Sequence, residues 1–503
     1  MQSKSKIVSR NIIFALLLQF ITLISGFIIP KIILSYFGSE INGLVSSINQ
    51  FLSYITLLEG GLSGVIMAGL YKPLQQNNAE QISGVINAAE KFFRKIAFIY
   101  LVYVLMMSII YPIYYRASYS YGYTFALVWI LAVNLFTQYF FSLTFKLLIQ
   151  ADQKAYIVSI VQSIVVILNI IATVIIAKYY QDILVIKLFG VLFYCLQPVV
   201  FSRYVKNHYK IDKSIEPDKS SISQRWDGFW QNIAYFIHSN TDVVVLTVFS
   251  TLTNVSVYSI YLLVINALKN LIISISGAVI PTLGNTLAKK NSDEIKSGFD
   301  LYEFTIFFVS TFLFASGMSL IVPFVTVYTS GITDADYYQP VFAVLMILAE
   351  AVYCLRDPYV SISYAAGHFK QTRIYATLEA IINIGVSMVL VHNYGIVGVA
   401  VGTLSAMQFR AIMHILYLKK AILNRPTGKA FKMMFLSCFI IVAVYCISNP
   451  ILDLQADTYF QWIVLAIEVS CIAAALLIVI SIIAYRSQMI RLFSGVKSKL
   501  VQK

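Results

Sequence analysis

The sequence predicts an all-α integral membrane protein of about fourteen transmembrane helices. Three observations carry this. Hydrophobic residues make up 59% of the 503 residues and charged ones only 12%. The apolar residues fall in long uninterrupted runs, and the basic residues gather in every second connection between them. No water satisfies open backbone groups in lipid, so a spanning run is a helix or a strand of a closed barrel. Runs such as Phe304 to Tyr328 do not alternate apolar with polar residues, which removes the barrel.

In chain order, the first six spans read Ile12 to Phe37, Ile41 to Leu70, Ile96 to Tyr115, Tyr123 to Leu148, Ala155 to Ala177 and Ile183 to Phe201. The first lies behind Lys4, Lys6 and Arg10, is too long for a signal peptide and lacks a small-x-small cleavage site, so it is expected to be retained. Val205 to Trp230, a polar and basic loop with Glu216, Pro217 and Asp218, marks the boundary between halves. Six further spans follow: Asn232 to Phe249, Val255 to Ile280, Phe304 to Tyr328, Val341 to Tyr364, Tyr375 to His392 and Gly395 to Tyr417. Phe431 to Ile447 and Tyr459 to Tyr485 complete the set. Each run is roughly 17 to 30 residues, which at about 1.5 Å per residue matches a hydrocarbon core of about 30 Å. The expected parts are an N-terminal six-helix bundle (1–220), a C-terminal six-helix bundle (221–425), and two additional helices with a basic tail (426–503).

The net charge of +14 resembles a nucleic-acid footprint until the basic residues are placed. Thirty of the 37 lie in alternate connections and tails, which puts those connections and both termini in the cytoplasm. The opposite connections hold Arg116, Lys178 and Lys187. The charge thus reflects topology and contact with anionic membrane lipids, and no nucleic-acid partner is expected.

The halves repeat faintly. Leu70 to Ile82 aligns with Leu283 to Ile295, and Gly64 falls on Gly277 at the same offset. Ala151 to Lys154 matches Gly367 to Lys370 in position, each opening a span with a polar centre, at Asn169 and Asn383. A six-span repeat keeps its orientation, so the halves are related by an axis along the membrane normal. Transporters with such repeats bind substrate between halves near mid-membrane.

Ionisable groups inside spans cost about 2.5 to 3.5 kcal/mol each on insertion scales, so their placement is the strongest functional signal. Lys31, Lys269, Arg356 and Arg410 are the four cations within spans, drawn from both halves. They are the candidate substrate-binding residues, and a cationic cavity suits a diphosphate. Lys31 and Arg410 have an alternative in snorkelling to the nearer interface, and Arg356 in an ion pair with its neighbour Asp357. Pro358 should kink that helix. Among the acids, Asp242 lies four residues after His238 on one helix face, in the run His238-Ser239-Asn240-Thr241-Asp242. His238 and Asp242 are the leading ion-coupling candidates, joined by Glu59 and Asp357; a structural pairing of Asp242 with a cavity cation is the alternative. Glu350 also lies within a span, Glu379 is expected near the interface, and Glu468 is expected at the periphery. Cys195, Cys354, Cys438, Cys446 and Cys471 fall in apolar spans at spacings suiting neither a metal nor a disulfide framework, and read as small core residues. No phosphate-binding Gly-rich loop with its Lys-Ser/Thr, no His-Glu-x-x-His and no Cys-x-x-Cys occurs, so ATP hydrolysis, metal and cofactor chemistry are not expected.

Four runs carry a family resemblance: Phe37-Gly38-Ser39-Glu40-Ile41-Asn42-Gly43-Leu44, Leu58-Glu59-Gly60-Gly61-Leu62, Leu70-Tyr71-Lys72-Pro73-Leu74, and Gly395 to Thr403. They resemble the bacterial polysaccharide transporter family, the O-antigen and capsule repeat-unit flippases. The resemblance implies a fold similar to the multidrug and toxin extrusion transporters and the lipid II flippases. It implies an oligosaccharide repeat unit on undecaprenyl diphosphate as substrate, flipped across the bacterial cytoplasmic membrane by alternating access and coupled to H+ or Na+. A monomer working beside a polysaccharide polymerase and glycosyltransferases would fit. The alternatives are a lipid II flippase or another exporter of that superfamily, and, in a different class, a membrane-embedded polymerase. The short outer connections, such as Thr329 to Gln339 and Asn449 to Thr458, argue against the last.

Overall fold

A computed structural model describes residues 4–59, 61–218, 240–288, 292–422 and 425–501. His238 and Gly60 lie outside the described residues. The described chain is helical throughout, with no strand. Two compact units divide it, Met1–Phe236 and Ile237–Lys503.

The first unit begins with α1 (Lys4–Ser53), which passes through a non-helical Gly38 at φ 80°. That positive φ is one a side chain resists, so glycine marks the break between the first two predicted spans. The second span is not one helix. A 3-10 turn (Tyr54–Leu58) leads to a break at Gly61, φ 83°, before α2 (Leu62–Gln75). The Asn78 side chain accepts the Gln81 N–H and opens α3 (Ala79–Tyr114). The fourth span comprises α4 (Tyr121–Thr137), a π turn (Gln138–Ser142) and α5 (Leu143–Ala151). It is followed by α6 (Ala155–Tyr179). The sixth is split into α7 (Ile183–Tyr194) and α8 (Leu196–His208), because Pro198 has no N–H to return to the Tyr194 carbonyl. Within this unit α1 packs on α6, α3 on α4, and α2 on α5. The polar loop after α8 is pinned to α3, with Asn87 Nδ2 donating to the carbonyls of Asp212 and Ile215 at 2.9 Å each.

The second unit holds α9 (Asn240–Phe249), α10 (Leu252–Ala288), α11 (Ser292–Tyr328), α12 (Pro340–Ala365), α13 (Phe369–Ala421), α14 (Gly428–Ile451) and α15 (Tyr459–Val501). The closest helix pairing is α12 with α13, and α11 is the hub that packs on α10, α12, α14 and α15. The two additional C-terminal helices, expected as a separate part, thus belong to the second compact unit.

Ten described stretches are long and apolar enough to cross a membrane, including Lys6–Leu58 and Lys370–Lys419. Those two are more than double the ~20 residues of one crossing. Each contains a glycine break, at Gly38 and Gly395. The outward surface is apolar, as a bilayer requires: α3 presents Phe98, Val102, Leu105 and Ile113 outward and buries Tyr100, Val104 and Tyr111. The protein is a multi-pass membrane protein. Among the cysteines only Cys354 is buried, while Cys446 and Cys471 are exposed on this apolar exterior, where a small apolar side chain is as well solvated by lipid as by a core.

Candidate functional site

Four ionisable residues of the second unit, Lys269, Glu350, Arg356 and Arg410, converge with Glu379 on α10, α12 and the two limbs of α13. A separate network joins Arg425 to Asp300 and Glu303 of α11. Glu379 sits between two guanidiniums: Arg356 Nη1 donates to its Oε1 at 2.9 Å, and Arg410 Nη1 donates to its Oε2. The Arg356 and Glu379 side chains are only 4% and 1% exposed. Arg410 also donates to the Tyr364 hydroxyl at 3.2 Å. Nearby, Lys269 of α10 pairs with Glu350 of α12 at 3.3 Å. Tyr353 joins the two groups, with Lys269 Nζ 5.2 Å and the Arg356 guanidinium 4.6 Å from its ring centroid. The three candidate substrate-binding cations of this unit, Lys269, Arg356 and Arg410, therefore occupy ion pairs. A buried pair that loses one member leaves an uncompensated charge costing about 3 to 5 kcal/mol. The Arg356–Glu379–Arg410 triad retains one positive charge in excess.

α13 makes the triad possible. It turns at Gly395, φ 52° and ψ −128°. The contacts Ser387–Val399, Asn383–Thr403 and Glu379–Arg410 lie progressively farther from that turn on both sides, which describes an antiparallel helical hairpin. Gly398 and Gly402 let its limbs meet: a Cβ at 398 would sit 2.6 Å from the Leu390 backbone, and one at 402 would sit 2.9 Å from the Ser387 nitrogen. The small-residue spacing in Gly395 to Thr403 is thus a close-packing device.

A second polar centre lies farther up the same hairpin. The Asp242 Oδ2 of α9 accepts the hydroxyls of Tyr258 and Thr403, both at 2.7 Å. Thr403 in turn accepts from Asn383 Nδ2 at 3.1 Å. Asp242 Oδ1 and Asn383 Oδ1 are buried and have no hydrogen-bond partner. An unpartnered buried oxygen costs about 1 to 3 kcal/mol, so two beside one hydroxyl form an oxygen set suited to a proton or a small hard cation. No cluster of three or more His, Cys, Asp or Glu with metal-binding geometry occurs among the described residues.

The remaining candidates fall elsewhere. Asp357 does not pair with Arg356; its Oδ2 accepts from Tyr302 at 2.9 Å and from Ser361 at 3.5 Å. Adjacent residues on a helix point about 100° apart, so Arg356 turns to α13 and Asp357 to α11. Lys31, half-buried on α1, and Glu59, at the break before α2, belong to the first unit. Glu59 accepts from the Ser63 hydroxyl and, at 3.3 Å, from Tyr139 in the π turn. Glu468 is exposed on α15. Glu379 departs from expectation: it is fully buried at the centre of the triad, not at an interface. The sequence held a signal for this, since Glu379 lies 16 residues before Gly395 and Arg410 lies 15 after it, the spacing a hairpin brings together.

This helical plan is shared with known transporters. Over 95% of this chain and 100% of the other, the fold is similar to that of the lipid II flippase MurJ in an inward closed conformation, with a TM-score of 0.71 and 17% identity. It is also similar to an inward-facing multidrug resistance MATE family transporter of the MOP superfamily, with a TM-score of 0.64 at 13% identity, covering 82% of this chain and 96% of that one. The MATE multidrug transporter DinF-BH, in a ligand complex, follows with a TM-score of 0.60, 14% identity and coverage of 84% and 98%. At these identities the likeness is one of fold, and its neighbours are transporters. No protein-family model matches the chain, and no curated protein matches it.

Proposed function

We propose that this protein is a flippase that moves undecaprenyl-diphosphate-linked oligosaccharides across the bacterial cytoplasmic membrane, coupled to H+ or Na+. Fourteen crossings with both termini cytoplasmic accompany this reading; the breaks at Gly38 and Gly395, which divide two of the ten long stretches, and the apolar helices α9 and α12 are compatible with it. The observation that carries the proposal is the pair of guanidiniums, Arg356 and Arg410, held around one carboxylate in a fold similar to a lipid II flippase. Glu379 stands in for the anionic oxygens of a diphosphate. When the unit opens, substrate oxygens replace Glu379 on one guanidinium, which binds phosphate bidentately, while Glu379 keeps the other neutral. Lys269 joins once Glu350 releases it.

Coupling runs through α13. Asn383 is one turn beyond Glu379, and Thr403 is two turns before Arg410, so each limb carries one residue of the Asp242 set and one of the triad on the same face. Occupancy of the Asp242 set by H+ or Na+ therefore biases the hairpin that positions the triad. His238, four residues from Asp242, remains a proposed contributor, as do Lys31 and Glu59 from the first unit.

The test is translocation of a fluorescently tagged undecaprenyl-diphosphate oligosaccharide, and in parallel of lipid II, in proteoliposomes with imposed proton or sodium gradients. Gradient-stimulated flipping supports the proposal, identifies the ion, and ranks repeat-unit against lipid II transport. Chain extension of added lipid-linked units without flipping would move the protein to the polymerase class. Arg356→Ala should abolish flipping with protein still in the membrane, and Arg356→Lys should retain part of it.

A further inference from the structure

Away from the buried charges, a cavity of about 390 Å³ opens between the C-terminal halves of α11 and α14, the start of α12 and the connection 452–458. This falls in the size range of small-ligand sites. The cavity lies at the helix ends joined by connections almost free of Lys and Arg, which the positive-inside rule assigns to the outer face. Asp453, Asp457, Asn449 and Gln455 line it, with the rings of Tyr338 and Tyr445. Thr326 and Ser319 complete its polar wall.

Ser319 adds an unsatisfied polar group to the cavity wall. It is 1% exposed, and its hydroxyl has no hydrogen-bond partner. Pro323, four residues on, also lines the cavity and has no N–H to return to the Ser319 carbonyl. Ser319 thus brings an unpaired buried hydroxyl to the wall, and its carbonyl lacks the usual helical donor. The rim is fixed. Trp462 Nε1 donates to the Leu320 carbonyl at 3.1 Å, and its ring packs against Phe324 at 5.1 Å. Gln461 Oε1 accepts the backbone N–H groups of Asp457 and Thr458 at 2.9 and 3.2 Å.

We propose that this cavity is an outer-face carbohydrate site for a neutral or amino-substituted pyranose. Carboxylates accept paired sugar hydroxyls, side-chain amides both donate and accept, and tyrosine rings cover the apolar ring face. Among the described residues lining it none is basic, so uronates and phosphates are disfavoured by the two aspartates. Two carboxylates without a third charged donor make a poor divalent-cation cage. Binding stands independently of the transport reading. The source of the sugar, the glycan of a lipid-linked substrate arriving at the outer leaflet, rests on that reading.

The experiment is saturation-transfer NMR on the full chain in nanodiscs, with methyl glucopyranoside, glucosamine, methyl glucuronide and calcium chloride each tested separately. Transfer to the first two, absent for the glucuronide, supports the site. The Asp453→Ala/Asp457→Ala double variant should bind about tenfold more weakly. Thr326→Trp, which fills the cavity from an exposed position, should abolish transfer. Unchanged transfer in both variants, no transfer to either sugar, or calcium binding lost in the double variant would overturn the carbohydrate assignment. Flipping by the same samples separates the two proposals: gradient-stimulated flipping without sugar transfer rejects only the site, and sugar transfer without flipping of any lipid-linked glycan rejects only the flippase.

Discussion

The two units follow one backbone plan but differ in what they bury. Gln153 and Gln181 in the first unit take positive φ, as do Gly367 and Gly395 in the second, and each pair is 214 positions apart. These are the turns that open and close corresponding helices, α6 and the first limb of α13. Between them Asn169 corresponds to Asn383 and Val165 to Glu379. Beyond the second turn, the same offset sets Phe189 against Thr403 and Leu196 against Arg410. A close glycine contact also occurs in both, though not at equivalent positions: Gly190 faces the Asn169 side-chain oxygen, and Gly402 faces Ser387 and the Asn383 carbonyl. The charges do not recur. A repeated scaffold has kept its close helix contact in both copies, while at these corresponding positions the second unit carries the Glu379–Arg410 pair and the unpartnered oxygen of Asn383, beside that of Asp242. The first unit's ion pairs, such as Lys154–Asp152, lie at other positions. The Glu379–Arg410 pair and the unpartnered oxygens are features a helix pair does not need in order to pack.

The largest expected effect contrasts Glu379 with Val165. Glu379→Ala leaves Arg356 and Arg410 buried without an anion and should cost about 3 to 5 kcal/mol. Val165→Ala removes two buried methyl groups and should cost about 2 kcal/mol. Thermal unfolding of the purified variants measures both, and equal losses would mean that the triad is not what holds the second unit together. Next comes coupling. Asp242→Asn should remove the gradient stimulation of flipping while leaving slow equilibration, and Thr403→Ala should weaken the stimulation without abolishing it, because Tyr258 still holds Asp242. Gradient dependence unchanged in Asp242→Asn would reduce Asp242 to a structural hydrogen-bond acceptor. The glycines come third. Gly402→Ala drives a Cβ against the Ser387 backbone, and overpacking of this kind costs about 1 to 3 kcal/mol. Gly190→Ala meets the Asn169 side-chain oxygen, which can rotate away, and should cost less.

The apolar runs and the points where several of them part were legible because periodic apolar length, basic connections and glycine or proline punctuation act locally along the chain; the breaks inside the second, fourth and sixth runs were not. Gly38, Gly395 and Pro198 each end or bend a helix where their chemistry requires it. The charges inside the apolar runs were also legible, since any Lys, Arg, Asp or Glu there is conspicuous, whereas Glu303 and Arg425, which lie outside the predicted runs, were not. Nor was the pairing of the charges. Arg356 had Asp357 beside it in sequence, yet its partner is Glu379, 23 residues away, because neighbouring side chains on a helix diverge and a hairpin brings distant ones together. Glu379 looked interfacial when its depth was counted from Tyr375. The helix starts at Phe369, and the limb folded against it and the neighbouring α12 each supply a guanidinium. The outer cavity left no periodic trace at all, since its wall comes from three helices and a connection.

The smallest expected effect decides whether the first unit shares in coupling. Glu59 sits at a helix break opposite a π turn, a kind of irregularity that recurs at functional sites. Its donors, Ser63 and Tyr139, are both hydroxyls. Glutamine keeps one acceptor oxygen for such donors, so Glu59→Gln should cost only about 1 kcal/mol, the order of a single net hydrogen bond. Flipping driven by the imposed gradient should then stay within about twofold of the unmodified protein, a difference of less than about 0.5 kcal/mol in barrier. A loss of gradient stimulation matching that of Asp242→Asn would show that the break carries an ionisable step of its own. The contrast between the two units would then fail at Glu59, a carboxylate held by hydroxyls in the first unit.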